Sequence, residues 1–203
     1  MFIETLMSNP IFGLRFIVII IISICLHELA HGLAAISQGD DTPYRLGHIT
    51  MNPVVHMGWP SLILLFFIGI AWGQMPVNPR KFRHLKFSSI FVSASGPLCN
   101  FALGLLCILM ILAIRENLLV FNLLSDTFFY LAAYINFMLF IFNLLPIPPL
   151  DGFHVASEIF PSLKSLANSP FGYMAIMIVF LGGFSSVLGY IVNGMMCLLG
   201  LCG

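Results

Sequence analysis

FIVIIIISICLHELAHGLAAI, residues 16–36, is the stretch that decides the fold of this chain. It is long and apolar enough for a helix that crosses a lipid bilayer, so it predicts a transmembrane helix. Only His27, Glu28 and His31 interrupt it with carboxylate or imidazole groups. A charged side chain at the centre of a bilayer costs about 3 kcal/mol or more, and ionisable groups there usually mark a functional site.

The spacing of these three residues predicts a metal site. Positions i and i+4 lie on one face of a helix, so His27 and His31 can hold one ion between them. Glu28 then lies beside the ion without having to bind it. The pattern H-E-x-x-H is typical of zinc proteases, in which the glutamate acts as general base.

Composition places the chain in a lipid bilayer. Of its 203 residues 60% are hydrophobic and 8% are charged, against about 25% charged in soluble domains. The mean hydropathy is +1.03. The formal net charge is zero, which gives no sign of a nucleic-acid partner. We expect an integral membrane protein with one transmembrane metalloprotease domain over residues 1–203.

The apolar runs predict an all-α polytopic fold with about four to six transmembrane helices. A shorter apolar stretch near 60–72 is below the minimal length for a crossing, and we expect it to be re-entrant or interfacial. Loops are expected near 37–58, 74–87 and 146–170. The predicted spans are 11–36, 88–114, 127–145 and 171–200.

Basic residues predict the orientation. The loop that contains Arg80, Lys81, Arg83 and Lys86 is expected on the cytoplasmic side. The first span then runs inward from an outer N-terminus, and both ends of 60–72 lie on the cytoplasmic side.

A catalytic zinc usually has three protein ligands, and Asp151 is the best candidate for the third. It follows a helix-breaking proline run at the end of a span, and Gly152 permits a close backbone approach. Two alternatives stay open. Asp151 caps a helix over 152–160, or His154 is the ligand instead.

Two motifs together resemble those of the site-2 protease family of intramembrane zinc metalloproteases. They are HELAH at 27–31 and NLLPIPPLDG at 143–152. Three further stretches resemble the compact prokaryotic branch of that family, which lacks extra domains: GHITMNP at 47–53, MPVNPRKFR at 75–83 and SGPLCN at 95–100. The resemblance covers roughly residues 10–160.

The resemblance implies one Zn²⁺ per chain, bound by His27, His31 and Asp151, with Glu28 as catalytic acid and base. It implies that Asn143 holds the substrate backbone. The expected activity is hydrolysis of peptide bonds within or near transmembrane segments of a membrane protein or peptide. The expected location is the cell membrane, crossed several times, with an active site that opens towards the cytoplasm.

Several alternatives remain at this stage. Asn143 and Asn100 have a second interpretation as helix–helix hydrogen-bonding groups. In relatives we expect an acidic residue soon after the histidine that matches His56, but Met57-Gly58-Trp59 follow here. His56 therefore lines the entrance of the site or lies at the membrane interface. For the whole protein, the alternatives are a metal or ion transporter and an inactive protein that binds membrane partners.

Overall fold

The computed structural model describes residues 2–116, 125–166 and 184–201, and the regular structure within these ranges is helical throughout. The expected all-α class is confirmed. Two short 3-10 turns, Pro79–Lys81 and Pro161–Leu166, join the helices. The helices are α1 (Phe2–Ser8), α2 (Pro10–Ser37), α3 (Thr42–Arg45), α4 (Pro53–Ile68), α5 (Leu85–Arg115), α6 (Asp126–Asn143), α7 (Asp151–Ile159) and α8 (Phe184–Leu198).

Three of these helices, α2, α5 and α6, are long and apolar enough to cross a membrane. They coincide with the first three predicted spans to within a few residues, and the predicted number of membrane crossings stays a prediction. The fourth predicted span, 171–200, lies partly outside the described residues, and its described part is the shorter apolar helix α8. The prediction of one domain over residues 1–203 stays a prediction.

The three spans alternate in direction. Arg15 near the start of α2 donates a hydrogen bond to Ser125 at the start of α6, 3.4 Å away. His31 near the end of α2 contacts Val92 near the start of α5. Helix α5 therefore runs against α2 and α6. It packs against both of them, and a Cβ on Gly104 would lie 2.7 Å from the Phe137 ring of α6.

The segment from Pro53 to Asn78 begins and ends beside the C-terminal end of α2. Helix α4 packs along α2 and ends at Gly69, which has a φ of 84° and lies against Phe2. The chain then returns beside α4 as a non-helical segment over 70–78, which we call the return segment. The chain thus runs out and back along α2 and does not cross to the other end, whereas the choice between a re-entrant and an interfacial position in the membrane stays a prediction.

Two hydrogen-bonded points hold the return segment to α4. Ser61 Oγ donates to the Trp72 carbonyl and accepts from the Trp72 amide, at 2.8 and 2.9 Å. The Gln74 amide donates to the His56 carbonyl at 2.8 Å. At its far end, the Asn78 amide donates to the carboxylate of Asp40, beyond the end of α2.

The predicted loop over 37–58 is partly wrong, because α3 and the first turns of α4 fall inside it. Helix α4 begins at Pro53, since the Asn52 side chain accepts a hydrogen bond from the Val54 amide and proline is favoured in the first turn. A kink at Gly58, with a φ of 68°, separates this first part of α4 from the apolar run that suggested a later start.

The predicted loop over 146–170 is also partly wrong, because it contains α7 and a 3-10 turn. Helix α7 is short and polar on one face, so apolar run length does not reveal it. The predicted loop over 74–87 is correct except for the 3-10 turn at Pro79–Lys81 and the first residues of α5.

The basic loop lies at the same end of the bundle as the end of α2. Lys81 pairs with Asp41 at 2.6 Å, and the Arg83 amide donates to the Gln38 carbonyl at 2.9 Å. The hydrogen bond from Lys81, together with Arg45, holds the pKa of Asp41 below its usual value of 3.8. The side of the membrane on which this loop lies stays a prediction.

Candidate metal centre

Helix α2 presents two imidazoles one turn apart on its buried face. The Nε2 atoms of His27 and His31 are 3.0 Å apart, and the two rings are nearly perpendicular. Each residue is less than a tenth exposed. The side-by-side arrangement that the i, i+4 spacing predicts is therefore present.

Asp151 meets the histidines from the first turn of α7. Its Oδ2 lies 3.0 Å from His27 Nε2 and 3.3 Å from His31 Nε2. Gly152 packs so closely on the carbonyl groups of Leu144 and Leu145 that a Cβ would overlap them. The close approach that the sequence predicts at Gly152 is thus observed.

The alternative role for Asp151 as a helix cap is wrong. A helix does follow, but it begins at Asp151 itself, and Leu150 occupies the N-cap position without a side-chain hydrogen bond. An N-cap carboxylate belongs to the residue that precedes the first turn, and that residue here is Leu150. Here the carboxylate lies against the two imidazoles instead.

The outer nitrogens of both rings indicate which atoms face the centre. His31 Nδ1 lies 2.7 Å from the carbonyl oxygen of Val92, and His27 Nδ1 lies 2.6 Å from Asn100 Oδ1. Both partners are acceptors, so each Nδ1 carries the hydrogen and each Nε2 presents a lone pair. Two lone pairs and a carboxylate oxygen therefore converge, which is favourable when a cation lies among them.

The spacing of the three ligand atoms fits zinc. Zinc–nitrogen and zinc–oxygen bonds of about 2.0–2.2 Å in a tetrahedron place neighbouring ligand atoms about 3.3–3.6 Å apart. The observed separations of 3.0–3.3 Å are close to the short end of that range, so small side-chain movements would admit the ion. Within the described ranges, this is the one group of three or more potential metal ligands. The donor set and its hydrogen-bonded outer nitrogens are those of a zinc site.

Gly96 of α5 supplies the space for this centre. A Cβ at this position would overlap Nε2 of both His27 and His31. The residue before Pro97 in α5 must therefore be glycine if the two imidazoles are to keep their positions.

Glu28 lies next to the ligands on α2 and is 7% exposed. Its carboxylate packs against Gly73 of the return segment, where a Cβ would overlap Glu28 Oε1 and lie 2.7 Å from Glu28 Cγ. A glycine at this position gives the Glu28 side chain its room. Glu28 and the potential ligands all border one cavity.

The cavity has a volume of about 1050 Å³ and lies between the return segment and the helices α2, α5, α6 and α7. Its apolar lining includes Ile24, Leu139 and Phe142. Three residues on one face of α7, His154, Ser157 and Glu158, extend the lining away from Asp151. The cavity thus joins a polar centre to a largely apolar surface, and its volume suits a peptide segment.

Asn143 lies at the end of α6 and lines the same cavity. Its Nδ2 donates to the Leu139 carbonyl at 2.9 Å. That bond lies within α6 and not between helices, which disfavours the helix–helix alternative for this residue. Its predicted contact with a substrate stays a prediction.

Two other histidines lie apart from the potential ligands. His154 is exposed, lines the cavity and is not part of the ligand group. His56 is 2% exposed, and its Nε2 donates to the Thr50 carbonyl at 2.6 Å. The interpretation of His56 at the cavity entrance is therefore wrong, and its position relative to the membrane interface stays a prediction.

The interpretation of Asn100 as a helix–helix hydrogen-bonding group is confirmed, because its buried side chain bonds to His27 on α2 and to Asn136 on α6. The sequence analysis missed that one of these partners is a potential ligand. The signal was available, because Asn100 lies four residues after Gly96, on the same face of α5. The contact of His31 with the Val92 carbonyl has no signal in the sequence, since every residue carries a backbone carbonyl.

Comparisons with known proteins agree with this geometry. The sequence model of peptidase family M50 matches residues 117–186, a range that includes Asp151. A protein of Bacillus subtilis with the name "Putative zinc metalloprotease YwhC" is 32% identical over 172 residues, which are 81% of this chain and 78% of that protein.

More distant relatives are longer. "Putative zinc metalloprotease Rip2" of Mycolicibacterium smegmatis is 30% identical over 66% of this chain, and the match spans 52% of Rip2. "Zinc metalloprotease MJ0392" of Methanocaldococcus jannaschii is 24% identical over 84% of this chain and 39% of its own length. Among solved structures, none matches the chain with comparable significance. The similarity to YwhC, at this identity and coverage, shows that the chain belongs to peptidase family M50, the site-2 protease family.

Proposed function

We propose that this protein is an intramembrane zinc metalloprotease that cleaves membrane proteins within or near their transmembrane segments. One observation carries the proposal: the ligand atoms of His27, His31 and Asp151 converge within 4.8 Å of one another. Glu28 lies beside them, at a cavity bounded by apolar helices long enough to cross a membrane.

His27, His31 and Asp151 would hold the zinc ion through Nε2, Nε2 and a carboxylate oxygen. Zinc bound there supplies a Lewis acid, which lowers the pKa of water towards about 7 and polarises a carbonyl group. Glu28 takes a proton from the attacking water and passes it to the leaving amine of the substrate. Its burial beside Gly73 keeps the carboxylate in one position for both steps.

The return segment offers an edge for the substrate backbone. Its Trp72, Gln74 and Asn78 amides bond to the body of the protein. Gly73, Met75 and Val77 line the cavity together with Ala71, Trp72 and Gln74. The backbone groups of the alternate residues Gly73, Met75 and Val77 have no hydrogen-bond partner among the described residues. This period of two is that of a strand, so we propose that an unwound substrate pairs with this edge.

A substrate helix must unwind before it can use this edge, because all its backbone groups are bonded internally. Helix-breaking residues in the substrate are therefore expected to favour cleavage. Asn143, across the cavity, can both donate to and accept from an extended backbone. We assign it to substrate binding on that basis.

We also propose that the cavity opens towards the cytoplasm. The support is the basic loop, which lies at the same end of the bundle as the potential ligands. Loops rich in lysine and arginine tend to lie on the cytoplasmic side of a membrane. Cysteine labelling at Arg83 and at Ser8, from each side of sealed vesicles, tests this orientation.

The decisive experiment compares purified wild-type protein with Glu28→Gln in liposomes that contain a labelled transmembrane peptide. The wild type is expected to bind one zinc and cleave the peptide. Glu28→Gln is expected to bind zinc equally and to cleave about 10³-fold more slowly, since general acid–base catalysis contributes about 10²–10⁴-fold. Glu116→Gln, at the end of α5, is the matched control.

The same experiment separates the alternatives. A transporter would carry zinc into the liposomes and leave the peptide intact. An inactive partner-binding protein would cleave with neither variant. Equal cleavage by Glu28→Gln and wild type would contradict the role given to Glu28.

A further inference from the structure

A line of side-chain amides connects a potential ligand to the interior of α6. His27 Nδ1 lies 2.6 Å from Asn100 Oδ1. Asn100 Nδ2 donates to Asn136 Oδ1 at 3.0 Å, and Asn136 Nδ2 donates to the Ala132 carbonyl at 2.9 Å. Three transmembrane helices, α2, α5 and α6, are thus joined by one hydrogen-bonded series.

All the hydrogen bonds in the series run in one direction, which the Ala132 carbonyl at its end fixes. The Ala132 carbonyl can only accept, so the Asn136 side chain must present its NH₂ group there and its oxygen to Asn100. Asn100 must then present its NH₂ group to Asn136 and its oxygen to His27. An oxygen at this point accepts, so His27 must donate from Nδ1, and Nε2 carries the lone pair.

Asn136 has no contact of its own with the centre. It is 3% exposed and does not line the cavity. Asn100 is fully buried, and its Nδ2 has one further, longer contact, to the Ser23 carbonyl at 3.5 Å. Without Asn136, the Asn100 amide would lose its nearest acceptor and could rotate to present NH₂ to His27.

We propose that Asn136 is a positioning residue that acts through Asn100 to hold His27 in the Nδ1–H tautomer. Nε2 of His27 is then permanently available to a metal ion. The inference rests on the metal centre of the proposed function, but it concerns a residue on another helix that touches neither substrate nor metal. Burial of these two amide side chains in a bilayer costs little free energy, because each of them is hydrogen-bonded to its neighbours in the series.

Zinc affinity of the detergent-solubilised protein gives the first test. Asn136→Leu is expected to weaken zinc binding about tenfold, at the low end of the 10- to 100-fold effects of outer partners of metal ligands. Asn143→Leu is the matched control, because Asn143 also donates to a carbonyl one turn back on α6 but does not contact Asn100. It is expected to leave zinc affinity unchanged. Equal losses in the two variants would overturn the proposal.

A rescue distinguishes positioning from packing. Both oxygens of an aspartate accept, so Asn100→Asp needs no orientation by its neighbour. The double variant Asn100→Asp, Asn136→Leu is expected to recover the zinc affinity that Asn136→Leu loses. If the loss remains, Asn136 contributes only to packing and the proposal is wrong.

The tautomer itself can be measured in the unaltered protein, and the variant His27→Gln serves only to identify the His27 resonance. In metal-free protein with ¹⁵N-labelled histidine, the His27 resonance, identified by its loss in His27→Gln, is expected to report a protonated Nδ1. An unprotonated Nδ1 would overturn the inference, whether or not Nε2 also carries a proton towards Asp151. If the wild type bound no zinc at all, the proposed function would fail, while the same measurement on wild type and Asn136→Leu would still decide the role of Asn136.

Discussion

The two sides of the cavity are built differently. On one side, helices α2, α5 and α7 hold His27, His31 and Asp151 with buried side-chain hydrogen bonds and close glycine contacts. On the other side, the return segment has no regular structure, and only alternate residues bond to the protein. The comparison teaches that the ligands need fixed positions, whereas a surface that receives substrate needs backbone groups that remain available.

The largest expected effect comes from a methyl group on the helical side. Gly96→Ala places a Cβ against both Nε2 atoms, so we expect zinc affinity to fall by about 100-fold or more and cleavage to be lost. Zinc content after dialysis measures this. Gly194→Ala on α8, where a Cβ meets nothing within 4 Å, is the control. Normal zinc content in Gly96→Ala would contradict the described geometry.

The same substitution on the other side is expected to separate binding from catalysis. Gly73→Ala pushes on the Glu28 carboxylate but not on the ligands. We expect zinc to stay bound and the cleavage rate to fall by about 10²-fold, as for a displaced acid–base group. Parallel measurements of zinc content and kcat check this. A loss of zinc would show that the two sides are not independent.

The free edge of the return segment can be tested with proline. Met75→Pro removes an amide N–H that has no partner among the described residues, and Met75 already precedes Pro76, which favours an extended backbone. We expect kcat/KM to fall about three- to tenfold, the effect of one hydrogen bond of about 0.5–1.5 kcal/mol, without loss of zinc. Met75→Ala removes the same side chain and keeps the N–H. If both variants behave alike, the substrate does not pair at this residue.

Asp40 fastens the far end of the return segment. Its carboxylate is fully buried and accepts from the Thr42 and Asn78 amides. Asp40→Asn brings an NH₂ group against one of these donors, so we expect the free energy of unfolding to fall by about 1–3 kcal/mol. Hydrogen exchange is expected to quicken at Asn78 and to remain slow at His31. Uniform acceleration in both regions would contradict a local role for Asp40.

The smallest expected effect is at the neighbouring Asp41, which lies at the surface. Because Lys81 and Arg45 lower its pKa below 3.8, its contribution to stability is present at neutral pH and is lost as the pH falls below that value. The melting temperatures of Asp41→Asn and wild type are expected to differ slightly at pH 7 and to converge as acid protonates Asp41. A difference that grows in acid would contradict this assignment.

Most of the helical side was predictable from the sequence. Long apolar runs reveal α2, α5 and α6, and the i, i+4 spacing of His27 and His31 places their side chains together in any helix. Asp151 was predictable because the proline run and Gly152 require a sharp turn at the end of a span. These features depend on the local geometry of the backbone, which the amino-acid sequence specifies directly.

The other side was less predictable, for physical reasons. Helix α4 starts before its apolar run and bends at Gly58, so run length misjudges its start. His56 is buried because it donates to the Thr50 carbonyl, and no side chain in the sequence signals that partner. The pairing of Asn100 with His27 joins two helices. The sequence places Asn100 on the same face of α5 as Gly96, but it does not specify which side chain Asn100 meets there.

The ligand group also has a consequence for the synthesis of the protein. His27 and Asp151 lie 124 positions apart, on the first and after the last of the described membrane-length helices. A ribosome that has released only the early helices exposes two imidazoles without their carboxylate. The ligand group is therefore complete only after the last of these helices has been made, and on the proposed function an incompletely inserted chain would leave the nascent proteins around it uncut.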